Sequence, residues 1–428
     1  MVFYMENDME RLELDYELIT PSARIAATTH GGRAKCLQRL LRLDLPVPRT
    51  VAISFAGVHS IAAGHFEELL DLLDNFNNDD LLCVRPSSES PDWGGPSAIM
   101  NIGMNDVRYD ELKQKLGADM ASSIYIEFIQ AYSLHVARLD PDIFNQVDHG
   151  SSDALPNVLE IYESEAEQEF PQNITVQLSE ILRSMARTWE STTARLLRQA
   201  KGAPIDAGLG LVVQEMAFGL GEGESGTGVL QLIDENDGRP KIKGRYTQQS
   251  QIRPKSSSDS TLYLTKDVRG LSLEDNNEKI FRQLVDFATL MRIKLREEMQ
   301  IEFSIQNGIL HILDGIKTPR KSQAAVRVAV TLAEDGIISR SEAMMRIEPR
   351  AISELLHRQI DPEAERDILG VGVAASPGAA TGKIVFSAEA AQSYASRGIN
   401  CILVRRETSP EDVRGMHAAA AVLTERGG

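Results

Sequence analysis

The chain has 428 residues, 42% of them hydrophobic, which is more apolar material than one compact core uses, so two or three domains are expected. Against 45 basic residues stand 62 acidic ones, and the formal charge of −17 sets up a field that repels nucleic acid and anionic lipid, excluding both as expected partners. Cys36, Cys83 and Cys401 lie too far apart for zinc or disulfide spacing, no apolar run reaches signal-peptide or membrane-spanning length, and the expectation is a soluble, cytoplasmic protein with small buried thiols.

In chain order, His30-Gly31-Gly32-Arg33-Ala34-Lys35 leads into a helical pattern carrying Leu37, Leu40, Leu41 and Leu43, which Leu45-Pro46-Val47-Pro48 ends. Thr50 to Phe55 and Leu81 to Arg85 read as strands. Residues 108–200 are mostly helical in pattern, interrupted by an acidic loop from Asp140 to Asp153. Leu211 to Phe218 alternates as a strand and enters a glycine-rich segment, Gly219 to Gly228; a polar loop follows around Ser256–Asp259. Between residues 276 and 299, Ile280, Leu284, Phe287, Met291 and Leu295 recur at helical spacing and predict a core-facing amphipathic helix. A hairpin follows, Ile301 to Ile305 and Ile309 to Leu313. With a three-residue Gln306-Asn307-Gly308 loop, Gln300, Glu302, Ser304 and Asp314 share one face. Residues 321–369 form a helical connector with a Ser339-x-x-Glu342 capping box and Pro349 opening a helix. A further domain starts near Gly370, with strands Ile384 to Phe386 and Cys401 to Val404 flanking a helix from Glu389 to Ser396.

Each chemical candidate admits two readings. The glycines of 219–228 let backbone N–H groups approach a triphosphate and let a loop close as a lid, or they belong to an ordinary glycine-rich hairpin. Arg85, ending a buried strand, meets a phosphate or pairs with a carboxylate. Glu302 ligates Mg²⁺, which takes one or two carboxylates plus phosphate oxygens, or stands on a solvated strand face. His311 has no second ligand at metal spacing and reads as a core or rim histidine, and His417 as structural.

Taken in order, His30-Gly31-Gly32-Arg33 with Leu45-Pro46-Val47-Pro48, Val84-Arg85, Asn101-Ile102-Gly103-Met104-Asn105-Asp106, Val213-Gln214-Glu215-Met216 with Ser225-Gly226-Thr227-Gly228, Ile301-Glu302-Phe303, Ala375-Ser376-Pro377-Gly378-Ala379-Ala380-Thr381-Gly382 and Glu407-Thr408-Ser409-Pro410-Glu411-Asp412 form a series. It resembles the pyruvate, phosphate dikinase family over nearly the whole chain. The resemblance implies an α+β fold: an ATP-grasp-type nucleotide-binding domain over 1–320 with a helical insert at about 108–200, a helical linker over 321–369, and the first half of a swivelling phosphohistidine domain over 370–428. It further implies ATP and Mg²⁺, with Arg33, Arg85, Gly226, Thr227, Gly228 and Glu302 at the nucleotide and Glu302 with Asp314 at the metal. Thr424-Glu425-Arg426-Gly427-Gly428 resembles the run leading up to the family's acceptor histidine, so neither that histidine nor the family's pyruvate-binding barrel is expected within these residues.

Departures from the family pattern cluster at that same site. Arg33 stands where the family has lysine, Gln300 where it has aspartate, Asp314 where it has glutamine and Ile316 where it has arginine. Pro91-Asp92-Trp93-Gly94-Gly95-Pro96 replaces a methionine- and glycine-rich loop, Leu232-Ile233-Asp234-Glu235 replaces an arginine-bearing strand, and Arg245 takes a carboxylate position. Phosphoryl transfer depends on positioning and charge neutralisation, so these changes bear directly on activity. Two expectations result: an ATP-dependent phosphotransfer module, or a noncatalytic relative acting as a regulatory or interaction module, with self-association through the 370–428 piece. An antibiotic phosphotransferase of similar architecture fits the linker and Glu407 to Asp412 less well.

Overall fold

A computed structural model describes residues 15–65, 69–148, 151, 153–221, 223–250, 261–266, 270–358, 360–361, 364–373, 375–376 and 378–426; the loop expected at Ser256–Asp259 lies outside them. The chain divides into two compact units, Met1–Asp234 with Pro240–Pro319, and Glu235–Arg239 with Arg320–Gly428.

Two five-stranded antiparallel sheets carry the first unit. One is built from Tyr16–Leu18 (β1), Thr50–Ile53 (β2), Leu82–Ser88 (β3), Ile99–Ile102 (β4) and Leu209–Glu215 (β5) in the order β1-β2-β5-β3-β4. The other takes Gly226–Ile233 (β6), Pro240–Gln248 (β7), Thr261–Tyr263 (β8), Met299–Gln306 (β9) and Ile309–Lys317 (β10) in the order β10-β9-β6-β7-β8. The helices are Ala27–Leu41 (α1), Phe55–Ala63 (α2), Leu69–Leu73 (α3), Asp106–Leu116 (α4), Ala118–Tyr132 (α5), Ala154–Ala166 (α6), Ile174–Glu190 (α7), Thr192–Ala200 (α8), Leu273–Asn276 (α9) and Glu278–Leu295 (α10). Antiparallel sheets with helices gathered on their faces make this an α+β unit.

The first sheet buries both faces. Val51, Ile53, Val84, Leu211 and Val213 face a layer of α2, α5 and α7, where Tyr125, Phe128, Tyr132, Tyr162 and Phe170 pack edge-to-face. Ala52 and Val212 face the other way, onto α1 and a second core shared with β6, β9, β10 and α10. Helix α1 packs against β3, β5 and β10, so it joins the two sheets. The amphipathic stripe forms α10 as the spacing predicts, burying Ile280, Leu284, Met291 and Leu295 and leaving Phe287 partly buried.

In the second unit, Ser322–Glu334 (α11), Arg340–Met345 (α12) and Pro349–Leu356 (α13) precede a parallel sheet of Lys383–Val385 (β11), Cys401–Arg405 (β12) and Ala421–Thr424 (β13), connected by Ala388–Ser396 (α14) and Val413–Ala418 (α15). Ser339 caps α12 by accepting from the Glu342 N–H at 3.1 Å. The small core of this sheet is Val385, Ala391, Cys401 and Leu403, while Ile384, Phe386 and Leu423 stay exposed. Among the described residues no helix is long and apolar enough to cross a membrane.

Candidate active site

The hairpin reaches its register by a route the sequence pattern does not show. Asn307 (φ 50°) and Gly308 (φ 79°) make a two-residue turn with both residues left-handed, not the three-residue loop expected. That turn alone would put Asp314 on the apolar face. A bulge at Leu313, between the pairs Ile312↔Phe303 and Asp314↔Glu302, restores the phase. Directly opposed residues share a face, so Glu302 and Asp314 stand side by side, with Gln300 and Ile316 as the next pair. Ile301, Phe303, Ile305, Leu310 and Ile312 fill the core on the opposite face.

Two arginines from distant segments meet these carboxylates. Arg85, on β3, reaches Glu302 with a 3.2 Å ion pair; Arg33, on α1, donates through Nε to Asp314 Oδ2 at 2.7 Å and through a guanidinium N–H to the Pro86 carbonyl. The second oxygen of Asp314 accepts from the Gly315 N–H at 2.8 Å. The Asp314 side chain is 1% exposed, and its pairing settles its charge: burial pushes the carboxyl up, but Arg33 and Arg85 overcome this and hold it below the usual range. Burial pulls the Arg85 guanidinium down, and the neighbouring Cys83, Glu302 and Asp314 more than offset that. Two cations and two anions thus form a near-neutral, largely desolvated quartet.

Local geometry explains how α1 delivers Arg33. The helix is kinked at Gly31 (φ 85°, ψ 169°), and a Cβ there would overlap the Ser87 carbonyl of β3. Ser87 Oγ donates to the His30 carbonyl at 2.7 Å and accepts the Ala34 N–H at 3.1 Å, capping the helix that restarts after the kink. Arg33 therefore lies in the first turn of a helix pinned to the strand that carries Arg85. Beside it lies a cavity of about 420 Å³ with Leu295, Met299 and Ile316 in its walls and Lys35, Arg39 and Lys317 at its rim. Its thiol, Cys36, donates to the Gly315 carbonyl at 3.0 Å, and burial pushes its pKa up to about 12; burial raises Cys83 as well, so both thiols are protonated and inert at neutral pH.

The structure places Gly226, Thr227 and Gly228 in strand β6, not in the loop that precedes it. Thr227 pairs with Ser304 and shares the Glu302 face, two positions along. The two glycines face the core, where a Cβ at Gly226 would lie 2.7 Å from the Tyr246 ring and one at Gly228 would overlap Phe303; these two rings stack with centroids 6.1 Å apart. Their absence of side chains makes room for that pair. The preceding loop is clasped: the Gly308 N–H donates to the Glu224 carbonyl at 2.8 Å, the Asn307 N–H to Ser225 Oγ at 3.0 Å, and the Ser250 N–H to the Gly219 carbonyl at 3.0 Å. Arg245, on β7 opposite Val229, also stands on the Glu302 face and lies over the Tyr263 ring at 3.9 Å. His311 pairs with Ser304 at the rim, its pKa lowered by burial. Ser87, Cys36 and the Lys35, Arg39 and Lys317 rim carry no sequence signal of their own, because each acquires its place from a partner strand or helix.

This quartet links α1, β3, β9 and β10, the segments in which the sequence motifs lie, and comparison with known proteins matches the chain along those segments. It is 32% identical to a pyruvate, phosphate dikinase of Rhizobium meliloti (strain 1021) over 93% of this chain and 49% of the relative. The chain is a homologue of the pyruvate, phosphate dikinases. The Clostridium symbiosum enzyme matches at 32% over 81% of this chain and 42% of its own length, and pyruvate, phosphate dikinase 2 of Zea mays at 31% over 81% and 41%. The chain spans about half the length of the dikinases it matches. Residues 399–428, which include β12, α15 and β13, match the model for the mobile domain of PEP-utilising enzymes.

Proposed function

We propose that the first unit is an ATP-grasp-type nucleotide-binding module of a dikinase-like phosphotransfer protein. The observation that carries this reading is the Arg33, Arg85, Glu302, Asp314 quartet: four charged side chains from four elements, up to 281 residues apart in sequence, converge on a polar sheet face beside a cavity large enough for part of a nucleotide. In this reading the two ion pairs are the resting state. A polyphosphate draws the guanidinium groups onto its oxygens, and the released carboxylates then face the cation that travels with it. Among the described residues no cluster of three or more His, Cys, Asp or Glu side chains is placed to hold a metal. Two adjacent carboxylates nevertheless fit Mg²⁺ that brings phosphate and water ligands of its own. Glu302 would hold that ion, with Asp314 joining once Arg33 turns to phosphate, and the ion would neutralise phosphate charge. Thr227 and Arg245, on the same face, are placed to extend the contact.

Titration calorimetry with ATP, with and without Mg²⁺, tests the proposal. Saturable Mg²⁺-dependent binding that Arg85→Ala abolishes is the expected result; absence of heat at millimolar ATP overturns it. The second reading, a noncatalytic relative, is favoured by one observation: both oxygens of Asp314 are already satisfied by protein donors, and Ile316 leaves the neighbouring position without a cation.

A further inference from the structure

We propose that a separate cavity in the helical layer of the first unit binds a small phosphate-bearing anion. The cavity, about 300 Å³, lies between α7 and the π-helical turn Ser133–Ala137 that ends α5, and Arg138, Arg183 and Arg187 line it. In a chain of charge −17 this is a local excess of cations. Its single lining carboxylate, Glu180, is engaged by the Tyr132 hydroxyl and by the charge of Arg183. Among the described residues the side chains of Arg138 and Arg187 make no ion pair and no hydrogen bond.

The arrangement is disfavoured without a ligand. Arg183 and Arg187 are four residues apart on one face of α7, a like-charge spacing that opposes helix stability. Arg138 caps the end of the π-helical turn in the left-handed conformation, φ 60°, and this helix ending brings its side chain into the lining of the cavity. The walls are fixed: Tyr132 belongs to the five-ring aromatic cluster, and Ser184 Oγ donates to the His135 carbonyl at 2.5 Å, holding the π-helical turn against α7. Three guanidinium forks on rigid supports match the several oxygens of a phosphate group better than the two of a carboxylate. The cavity shares no residue with the Arg33 and Arg85 quartet, so this inference stands apart from the proposed nucleotide site.

The test is calorimetric titration of the whole chain with inorganic phosphate and with pyrophosphate at low ionic strength, with malonate as the carboxylate control. Saturable, salt-sensitive binding of phosphate or pyrophosphate is expected, weakened at least about tenfold in Arg183→Gln/Arg187→Gln and about threefold in Arg187→Lys, which keeps the charge and removes the fork. The titrations are run in an Arg85→Ala background, which removes the proposed nucleotide site as a second receptor for the probe, and binding that persists there is expected while its complete loss would overturn the assignment. No saturable binding, equal affinity for malonate, or an undiminished affinity in the double variant would each overturn the assignment. Arg187→Gln alone, at an exposed position, supplies the same test should the double variant not fold; loss of binding there supports the site and unchanged affinity rejects it.

Discussion

The two faces of the β10-β9-β6-β7-β8 sheet are made by the same strands and follow different rules. One face is closed and apolar, with Tyr246 stacked on Phe303 over the two glycines of β6 and Ile301, Ile305 and Ile312 packed around them. The other holds Glu302, Asp314, Thr227 and Arg245, and its order comes from charges that answer one another across long sequence separations. Complementary shape stabilises the first face and complementary charge organises the second. A substitution on the first should therefore register in stability, and one on the second chiefly in ligand affinity and pH response.

The largest expected effect is on the apolar face. Phe303→Ala removes a fully buried ring and should destabilise the protein by about 3–5 kcal/mol, read as a lowered midpoint in urea unfolding. Gly228→Ala, which drives a methyl group into Phe303, should cost about 1–3 kcal/mol in the same assay. If either variant leaves stability intact while removing ATP binding, the division between faces is wrong. On the charged face, Arg85→Gln should weaken ATP at least about tenfold, measured by calorimetry, because it removes a charge-assisted contact.

A subtler test uses pH. The Asp314 carboxyl is held below its ordinary value in the folded state, so its stabilising contribution is complete above the unfolded value of about 4 and is lost as pH falls through the lower folded value. Unfolding free energies measured between neutral pH and pH 3 should thus decline more steeply in the parent protein than in Asp314→Asn; parallel slopes would remove the ion pair from the account. The smallest effect belongs to Ile309, exposed beside the hairpin turn: Ile309→Thr should change stability by less than about 0.5 kcal/mol.

How far these features were legible from the sequence varied with how local their causes are. The α10 stripe is a local periodicity and appeared in the structure as read. Arg33 was visible as a motif residue, but the kink that delivers it depends on Ser87, more than 50 residues away, and no local pattern announces that contact. Gly226 and Gly228 looked like loop residues because glycine frequency is a local signal, whereas their packing role depends on Tyr246 and Phe303 in neighbouring strands. Asp314 was assigned to the Glu302 face through the wrong turn, and the outcome survived because an unforeseen bulge compensated for it. The Arg85–Glu302 and Arg33–Asp314 pairings rest on tertiary encounters that charge type alone leaves open. The resemblance brought these residues into one list; only the fold supplied their partners.

The extra residue at Leu313 makes the hairpin a frame-shifted reading of its own alternation. Before it, side chains keep one phase set by the tight turn; after it, the phase inverts, and the charged end of β10 is presented where an aliphatic residue would otherwise fall. Straightening the strand at Leu313 with every residue kept would leave composition, charge and turn untouched while swinging Asp314 toward the hydrocarbon interior and Gly315 toward the cleft. Loss of the bulge alone would thus exchange interior and exterior along the whole end of the strand. For a lineage, the spacing of this strand is as heritable a determinant of the site as the identity of the acid it carries.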